Sequence, residues 1–200
     1  MNKLAEIRKR LHDSSNLIER TIPLGRDVAR TADVIAQAYR NGRKVVLFGN
    51  GGSASEAQHM AAELIGRFRF NRPPLPALAL VSNPAVLTAI ANDFDYASVF
   101  ERTVEGLVQE GDVVLAISTG GESVNVIKGA LAARKKGATV IGLCGSKGRL
   151  ASLCDIALAV QSNDTPRVQE VHMTLCHIIC EIVEEELFGE RSTRKGRSIP

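Results

Sequence analysis

The chain has 200 residues, 44% hydrophobic and 24% charged, with 17 Gly, 7 Pro, no Trp, six Phe and two Tyr. That length suits one domain with a buried core, and the composition excludes disordered, collagen-like and coiled-coil architectures. At 4% aromatic the chain lacks the rings on which bases, sugars or methylated ammonium groups stack. A ligand is therefore held by backbone amides, hydroxyls, charges or a metal.

The net charge of +3 comes from the last ten residues, which hold Arg191, Arg194, Lys195 and Arg197 and no acid, while the rest of the chain carries 21 basic and 22 acidic side chains. The body is thus not a nucleic-acid-binding surface, and 189–200 reads as a basic, flexible tail behind a single domain over 1–188. The start, through Ser15, is amphipathic and mixed in charge, with no apolar core of an export signal. The longest uncharged run, 73–92, contains Pro73, Pro74, Pro76 and Pro84, which no membrane helix accommodates. Cys144, Cys154, Cys176 and Cys180 form no C-x-x-C pair. The expectation is a cytoplasmic protein without disulfides.

Two helices are predicted first, over 3–20 and 26–40, the second closed by Asn41-Gly42. Five short aliphatic runs follow, at 43–48, 77–81, 113–117, 139–143 and 156–160. They are continuously apolar rather than alternating, as strands buried on both faces are. Helical patterns separate them at 53–67, 84–107 with a break near Asn92-Asp93, 123–136 and 148–153. A long helix over 166–188 closes the domain, with Pro166 in its first turn. Strands alternating with helices give an α/β fold, a doubly wound five-stranded parallel sheet with helices on both faces. If the strand order is 2-1-3-4-5, the order reverses between the first and third strands, and ligands bind beyond the carboxyl ends of those strands. The loops found there are Gly49-Asn50-Gly51-Gly52-Ser53 and Ser118-Thr119-Gly120-Gly121-Glu122-Ser123.

The second loop follows a buried strand and opens a helix, so its amides, hydroxyls and glycines can cradle an anion such as phosphate. An ordinary strand-to-helix turn with Ser123 as N-cap accounts for the same residues. Glu122 beside a phosphate is unfavourable unless it turns away. Neither G-x-x-x-x-G-K-[ST] nor G-x-G-x-x-G occurs at the right place, which disfavours nucleotide triphosphatase and dinucleotide-binding readings. Further on, His59 and Glu63 stand four apart on one helix face, a spacing that lets both reach one metal or simply bond to each other. The last helix carries Gln169, His172 and His177. Gln169 and His177 are separated by about 12 Å along the axis at 1.5 Å per residue. His177 lies in an apolar stretch where a core histidine is equally at home, and Cys176 and Cys180 beside it offer thiolates as an alternative ligand set.

Taken together, 50–63 (NGGSASEAQHMAAE), 64–73 (LIGRFRFNRP), 91–94 (ANDF), 116–123 (AISTGGES) and 165–172 (TPRVQEVH) resemble the sugar isomerase (SIS) domain family and, within it, the phosphoheptose isomerases. The resemblance covers nearly all of 1–188. It implies a homotetramer that converts sedoheptulose 7-phosphate to glycero-manno-heptose 7-phosphate, for ADP-heptose or GDP-heptose used in lipopolysaccharide and other surface polysaccharides. It implies zinc, one ion per subunit, on His59, Glu63, Gln169 and His177. It implies a sugar site lined by Asn50, Gly51, Gly52, Ser53, Asn92, Asp93 and Gln169, and a phosphate site of Ser118, Thr119, Gly120 and Ser123. Two departures are visible. Gly120 stands where the family commonly has Ser, so one hydroxyl is lost and the amide remains. Pro166 stands three residues before Gln169, where some members have Asp.

The implied chemistry matches these groups. Ketose–aldose isomerisation through an enediolate needs a base at carbon, an acid at oxygen and stabilisation of the developing oxyanion. Glu63 is the expected base and His177 the expected acid, with zinc as Lewis acid. Ligation lowers the basicity of a carboxylate, so Glu63 would shift between its two duties. The competing expectation is an inactive SIS-domain binding protein resembling the replication initiator-associating protein. That branch lacks equivalents of Glu63 and His177, which this chain has. A SIS regulator is disfavoured because the chain has no DNA-binding domain.

Overall fold

The computed structural model describes residues 2–193, with side chains described to Gly189. Among them, five strands form one parallel sheet, β1 (Val45–Gly49), β2 (Ala77–Ala79), β3 (Val113–Ser118), β4 (Thr139–Gly145) and β5 (Ile156–Val160), in the order β2-β1-β3-β4-β5. This is the expected order, with the reversal between β1 and β3. Register is direct, Val45 facing Val113 and Gly49 facing Ile117, so the loops after β1 and β3 emerge side by side.

The helices are α1 (Lys3–Glu19), α2 (Gly25–Arg40), α3 (Gly52–Ile65), α4 (Pro84–Asp93), α5 (Val99–Leu107), α6 (Val124–Lys135), α7 (Leu150–Leu153) and α8 (Thr165–Thr193). Their ends have local causes. The Asn2 and Asn83 side chains accept the first free amides of α1 and α4, and Pro84 occupies the first turn of α4. Gly42 takes the left-handed conformation after α2, at φ +69°. The expected break near Asn92-Asp93 separates α4 from α5, with a 3₁₀ turn at Tyr96–Ser98 between them. The apolar run 77–81 is a strand for only three residues and then tightens into a 3₁₀ turn at Leu80–Ser82. The last helix continues five residues past 188, to Thr193, so Arg191 is helical. Arg194, Lys195 and Arg197 of the expected tail lie outside the described residues.

Each face of the sheet carries its own core. On one, Ile35, Leu47, Met60, Leu115, Ile141 and Ile179 join β-strands to α2, α3 and α8. On the other, Phe48, Phe100, Val114, Val126, Val140 and Leu150 join them to α5, α6 and α7. Burial of strand residues on both faces explains why their sequence is unbroken by polar positions. Helix α1 lies against α8 but buries only Leu17 and leaves Leu4, Ile7 and Leu11 more than half exposed. No described helix is long and apolar enough to cross a membrane.

Candidate active site

Helices α3 and α8 lie side by side in parallel, and this pair organises the site. Contacts along it advance in step. Gly52 meets Gln169, Glu56 meets His172, and His59 meets His177. From Gly52 to His59 is seven residues and from Gln169 to His177 eight, about two turns on each helix.

At the N-terminal end, Gly51 sits at φ +55°, a conformation that favours glycine, and carries the chain from β1 into α3. A methyl group on Gly52 would fall on the Gln169 side-chain amide, so any larger residue here would displace that amide. Ser53 is buried, and its amide bonds to the Asn50 carbonyl at 3.0 Å. Asn50 is held by a reciprocal pair of amide hydrogen bonds with Asn125, both 2.9 Å. The Tyr96 hydroxyl donates to Asn50 Oδ1 at 2.9 Å. Asn92 and Asp93, bonded to each other at 2.9 Å, are exposed at the end of α4, close in sequence to Tyr96. No ion pair or hydrogen bond ties either of them to Asn50 among the described residues.

In the loop after β3, the Gly121 amide bonds to the Ser118 carbonyl at 3.0 Å and to Ser118 Oγ at 3.2 Å, with Gly121 at φ +68°. Ser118 Oγ donates to Ser123 Oγ at 3.2 Å. Ser123 occupies the N-cap position of α6 but makes no capping bond with its side chain. The hydroxyls therefore face each other across the loop rather than satisfying the helix. Gly120 has no neighbour within 4 Å of where a Cβ would stand, so a serine there would fit and its hydroxyl is simply missing. Thr119 is half-buried, and its carbonyl accepts the Gly145 amide at 2.9 Å. Glu122 turns away from the loop, its Oε1 accepting the Arg149 amide at 2.9 Å.

Two turns on, His59 Nε2 lies 3.0 Å from His177 Nε2 and 3.3 Å from Glu63 Oε1. One donor atom from each of the three lies within 4.8 Å of the others. A tetrahedral ion with ligands at about 2.0–2.1 Å sets its ligand atoms about 3.3 Å apart. The His59–His177 and His59–Glu63 separations match that spacing, and with the third pair of atoms inside 4.8 Å the trio can gather round one such ion, with positions left for other ligands. Gln169 is not part of this cluster within one chain. It stands about 12 Å earlier along α8, against Gly52.

The cysteines do not compete for the role. Cys176 and Cys180 are buried in the core, and burial pushes the Cys180 thiol up to about 12 and that of Cys176 well above its ordinary value. Both are thiols at neutral pH.

Several residues at the site carried no sequence signal. His172 was legible only as one of three polar positions on the last helix. It is fully buried, with Nδ1 3.6 Å from the buried Glu56 carboxylate and Nε2 3.4 Å from the Cys144 carbonyl. Glu56, Asn125 and Tyr96 belong to ordinary helix or turn patterns. An amide facing an amide 75 positions away has no local pattern to betray it.

The comparisons with known proteins agree with this geometry. The SIS domain family model matches residues 11–145. The phosphoheptose isomerase of Sulfurimonas denitrificans is 44% identical over 191 residues, 95% of this chain and 94% of that protein. That of Clostridium acetobutylicum is 50% identical over 160 residues, 80% of this chain and 82% of the relative. Among solved structures, a phosphoheptose isomerase from Francisella tularensis superposes with a TM-score of 0.89 at 33% identity, covering 92% of this chain and all of that one. With the strand order, the two loops at its reversal and a His–Glu–His cluster beside them, the chain belongs to the SIS-domain family, in its phosphoheptose isomerase branch.

Proposed function

We propose that the chain is an aldose–ketose isomerase that converts sedoheptulose 7-phosphate to glycero-manno-heptose 7-phosphate. The observation that carries this reading is the convergence of His59, Glu63 and His177 two helical turns along α3 and α8 from the Gly52–Gln169 contact at the glycine-rich loop after β1. A protein that only bound the sugar phosphate would have no use for a base and an acid at such a separation.

In this reading the hydroxyls of Ser118, Thr119 and Ser123 and the Gly120 amide hold the phosphate. Asn50, Gly51, Gly52, Ser53, Asn92, Asp93 and Gln169 orient the open-chain sugar along the helix pair. Glu63 takes a proton from C1 of the ketose and returns it at C2, passing through an enediolate, while His177 moves the proton between the two oxygens. His59, Glu63 and His177 would hold zinc, which when bound supplies Lewis-acid polarisation of the sugar oxygens. A ligated carboxylate is a weak base, so Glu63 would have to be free of an ion when it takes the proton.

We also propose a homotetramer in the cytoplasm, supplying heptose for nucleotide-activated sugars and surface polysaccharides. Support for assembly comes from the exposed stripe Leu4, Ile7, Leu11, Ile18 and Ile22 and the apolar groove it borders, lined by Val28, Val171, Leu175 and Ile178. Glu63 is 26% and its neighbour His59 48% exposed in the single chain, more open than proton abstraction at carbon favours. Four free cysteines suit a reducing compartment.

The test is incubation of the purified protein with sedoheptulose 7-phosphate, with and without a chelator, following the aldose by NMR. Turnover that the chelator abolishes and zinc restores is expected. No turnover even with added zinc would support the binding-protein reading instead.

A further inference from the structure

Beyond α3 the chain folds back on itself through 66–72 without regular structure. Three successive amides in such a segment need partners, and a single carboxylate on α8 supplies them. Glu184 Oε1 accepts from the Phe68 amide at 2.9 Å, and its Oε2 from the Arg69 and Phe70 amides at 2.6 and 3.0 Å. Arg72 Nε adds a fourth bond, to Oε1 at 2.8 Å. The rest of the Arg72 guanidinium donates to the carbonyls of Leu64 at 2.6 Å and Glu63 at 2.9 Å, which are among the last free carbonyls of α3. Both charged side chains are essentially removed from solvent, at 2% and 1% exposure.

A buried ion pair of this kind gains little stability over an apolar pair of the same volume, so its specificity in placing the backbone is the more informative property. Glu184 and His177 are seven apart and lie on one face of α8. Folding 66–72 onto Glu184 therefore lays Phe68 against His177, ring centroids 5.5 Å apart and planes at 32°. Arg69 backs the ring, its guanidinium 6.0 Å from the Phe68 centroid while it pairs with Glu181 at 2.7 Å. Among the described residues no protein hydrogen bond reaches His177 Nδ1, the usual device for orienting such an imidazole. Packing by Phe68 takes its place.

We infer that Glu184 and Arg72 are positioning residues for His177, acting through Phe68, whose ring fixes the imidazole so that Nε2 stays directed at His59 and Glu63. The inference rests on the reading of His177 as a functional group given above. It assigns the 66–72 segment a purpose that none of the expected site residues covers.

The test compares wild type with Phe68→Ala, Phe68→Tyr, Glu184→Gln and the Phe68→Ala/Glu184→Gln double variant. Steady-state kinetics on sedoheptulose 7-phosphate is read beside the His177 ring-proton shifts in the metal-free protein. Phe68 is only half-buried, so Phe68→Ala folds. It is expected to lower kcat ~10–100-fold, the scale of a small misplacement at a reacting group. KM should change less than about threefold, because Phe68 makes no hydrogen bond or ring contact to any of the residues assigned to the phosphate. The His177 ring protons should lose the upfield shift imposed by the neighbouring ring, and Phe68→Tyr should restore both readouts. Glu184→Gln should reproduce the kcat loss, and the double variant should be no worse than either single, since all act on one group. Phe68→Ala with wild-type kcat and unshifted His177 resonances would overturn the inference, as would losses that multiply in the double variant. If the wild type itself does not turn over the sugar phosphate, the function reading fails, and the ring-proton shifts still decide the positioning.

Discussion

The two ends of the α3–α8 pair are built on different plans. The N-terminal end is made of two loops, each a contiguous stretch of sequence rich in glycine and hydroxyls, shaped internally by short-range bonds such as Gly121 to Ser118 and tied to its surroundings through Asn50 and Asn125. The other end is assembled from residues far apart, His59 against His177 across 118 positions and Phe68 against Glu184 across 116. In the proposed reading one end grips an anion with the backbone, and the other holds reactive side chains whose alignment depends on tertiary packing. The two ends lie about 10–12 Å apart along the helices, so if binding and chemistry divide between them as proposed, perturbations at one end should leave the other's signature intact.

The largest effect expected is at the reactive end. Glu63→Gln removes the base while keeping the side chain's size, and kcat should fall ~10²–10⁴-fold with KM for the sugar phosphate little changed. Steady-state kinetics with zinc in excess checks this, and activity near wild type would end the assignment of Glu63. Next comes the clamp. Glu184→Gln leaves a buried guanidinium without its charge partner and should cost ~3 kcal/mol, measured by urea unfolding. Burial alone would raise the Glu184 carboxyl, but the Arg69, Phe68 and Phe70 amides and Arg72 together hold it below its ordinary 4.5. A lowered folded value stabilises above that ordinary value and is lost as the pH falls through the lower one. The gap between wild type and Glu184→Gln should therefore be full at neutral pH and narrow only in acid.

At the binding end the sharpest comparison is between adjacent glycines. Gly52→Ala puts a methyl group on the Gln169 amide and should raise KM about tenfold by displacing that side chain. Gly51→Ala meets nothing within 4 Å but stands at φ +55°, so it should cost ~1–2 kcal/mol of stability instead. If both substitutions moved the same readout, space and backbone conformation would not be separable at this turn.

The same division governs what could be read in the sequence. The strand order and the two loops at its reversal follow from unbroken apolar runs and from glycines after them, which are local properties. His59 and Glu63 were visible as a helical pair, and His177 was identifiable through resemblance alone, because an apolar helix gives a core histidine the same neighbours. The 12 Å between Gln169 and His177 was also legible from helical rise. What the sequence did not reveal was where the Gln169 amide goes, which depends on Gly52 of another helix. Glu184 gave no signal, and Phe68 and Arg72 stood out only as part of the stretch 64–73 that carries the resemblance, with no role attached, for a related reason. A carboxylate in the acidic run Glu184-Glu185-Glu186 towards a helix end reads as solvated surface, and only the fold-back of 66–72 brings three amides to it.

The smallest effect expected comes from Tyr96, and it tests whether the binding end is as rigid as its bonds imply. Asn50 Oδ1 accepts two donors, Asn125 Nδ2 from within the core and the Tyr96 hydroxyl from the rim, each at 2.9 Å. Asn125 is buried, and its own Oδ1 is shared between Asn50 Nδ2 and the Val126 amide, so it cannot turn without leaving an amide unsatisfied. Tyr96 is more than half exposed, and its loss exposes nothing that water cannot reach. Tyr96→Phe should therefore raise KM only ~2–5-fold, the worth of one solvent-accessible hydrogen bond, with kcat unchanged. Asn125→Ala, which removes the buried partner and frees Asn50 to rotate, should raise it further. Equal effects from the two variants would mean that the rim, not the core, orients Asn50.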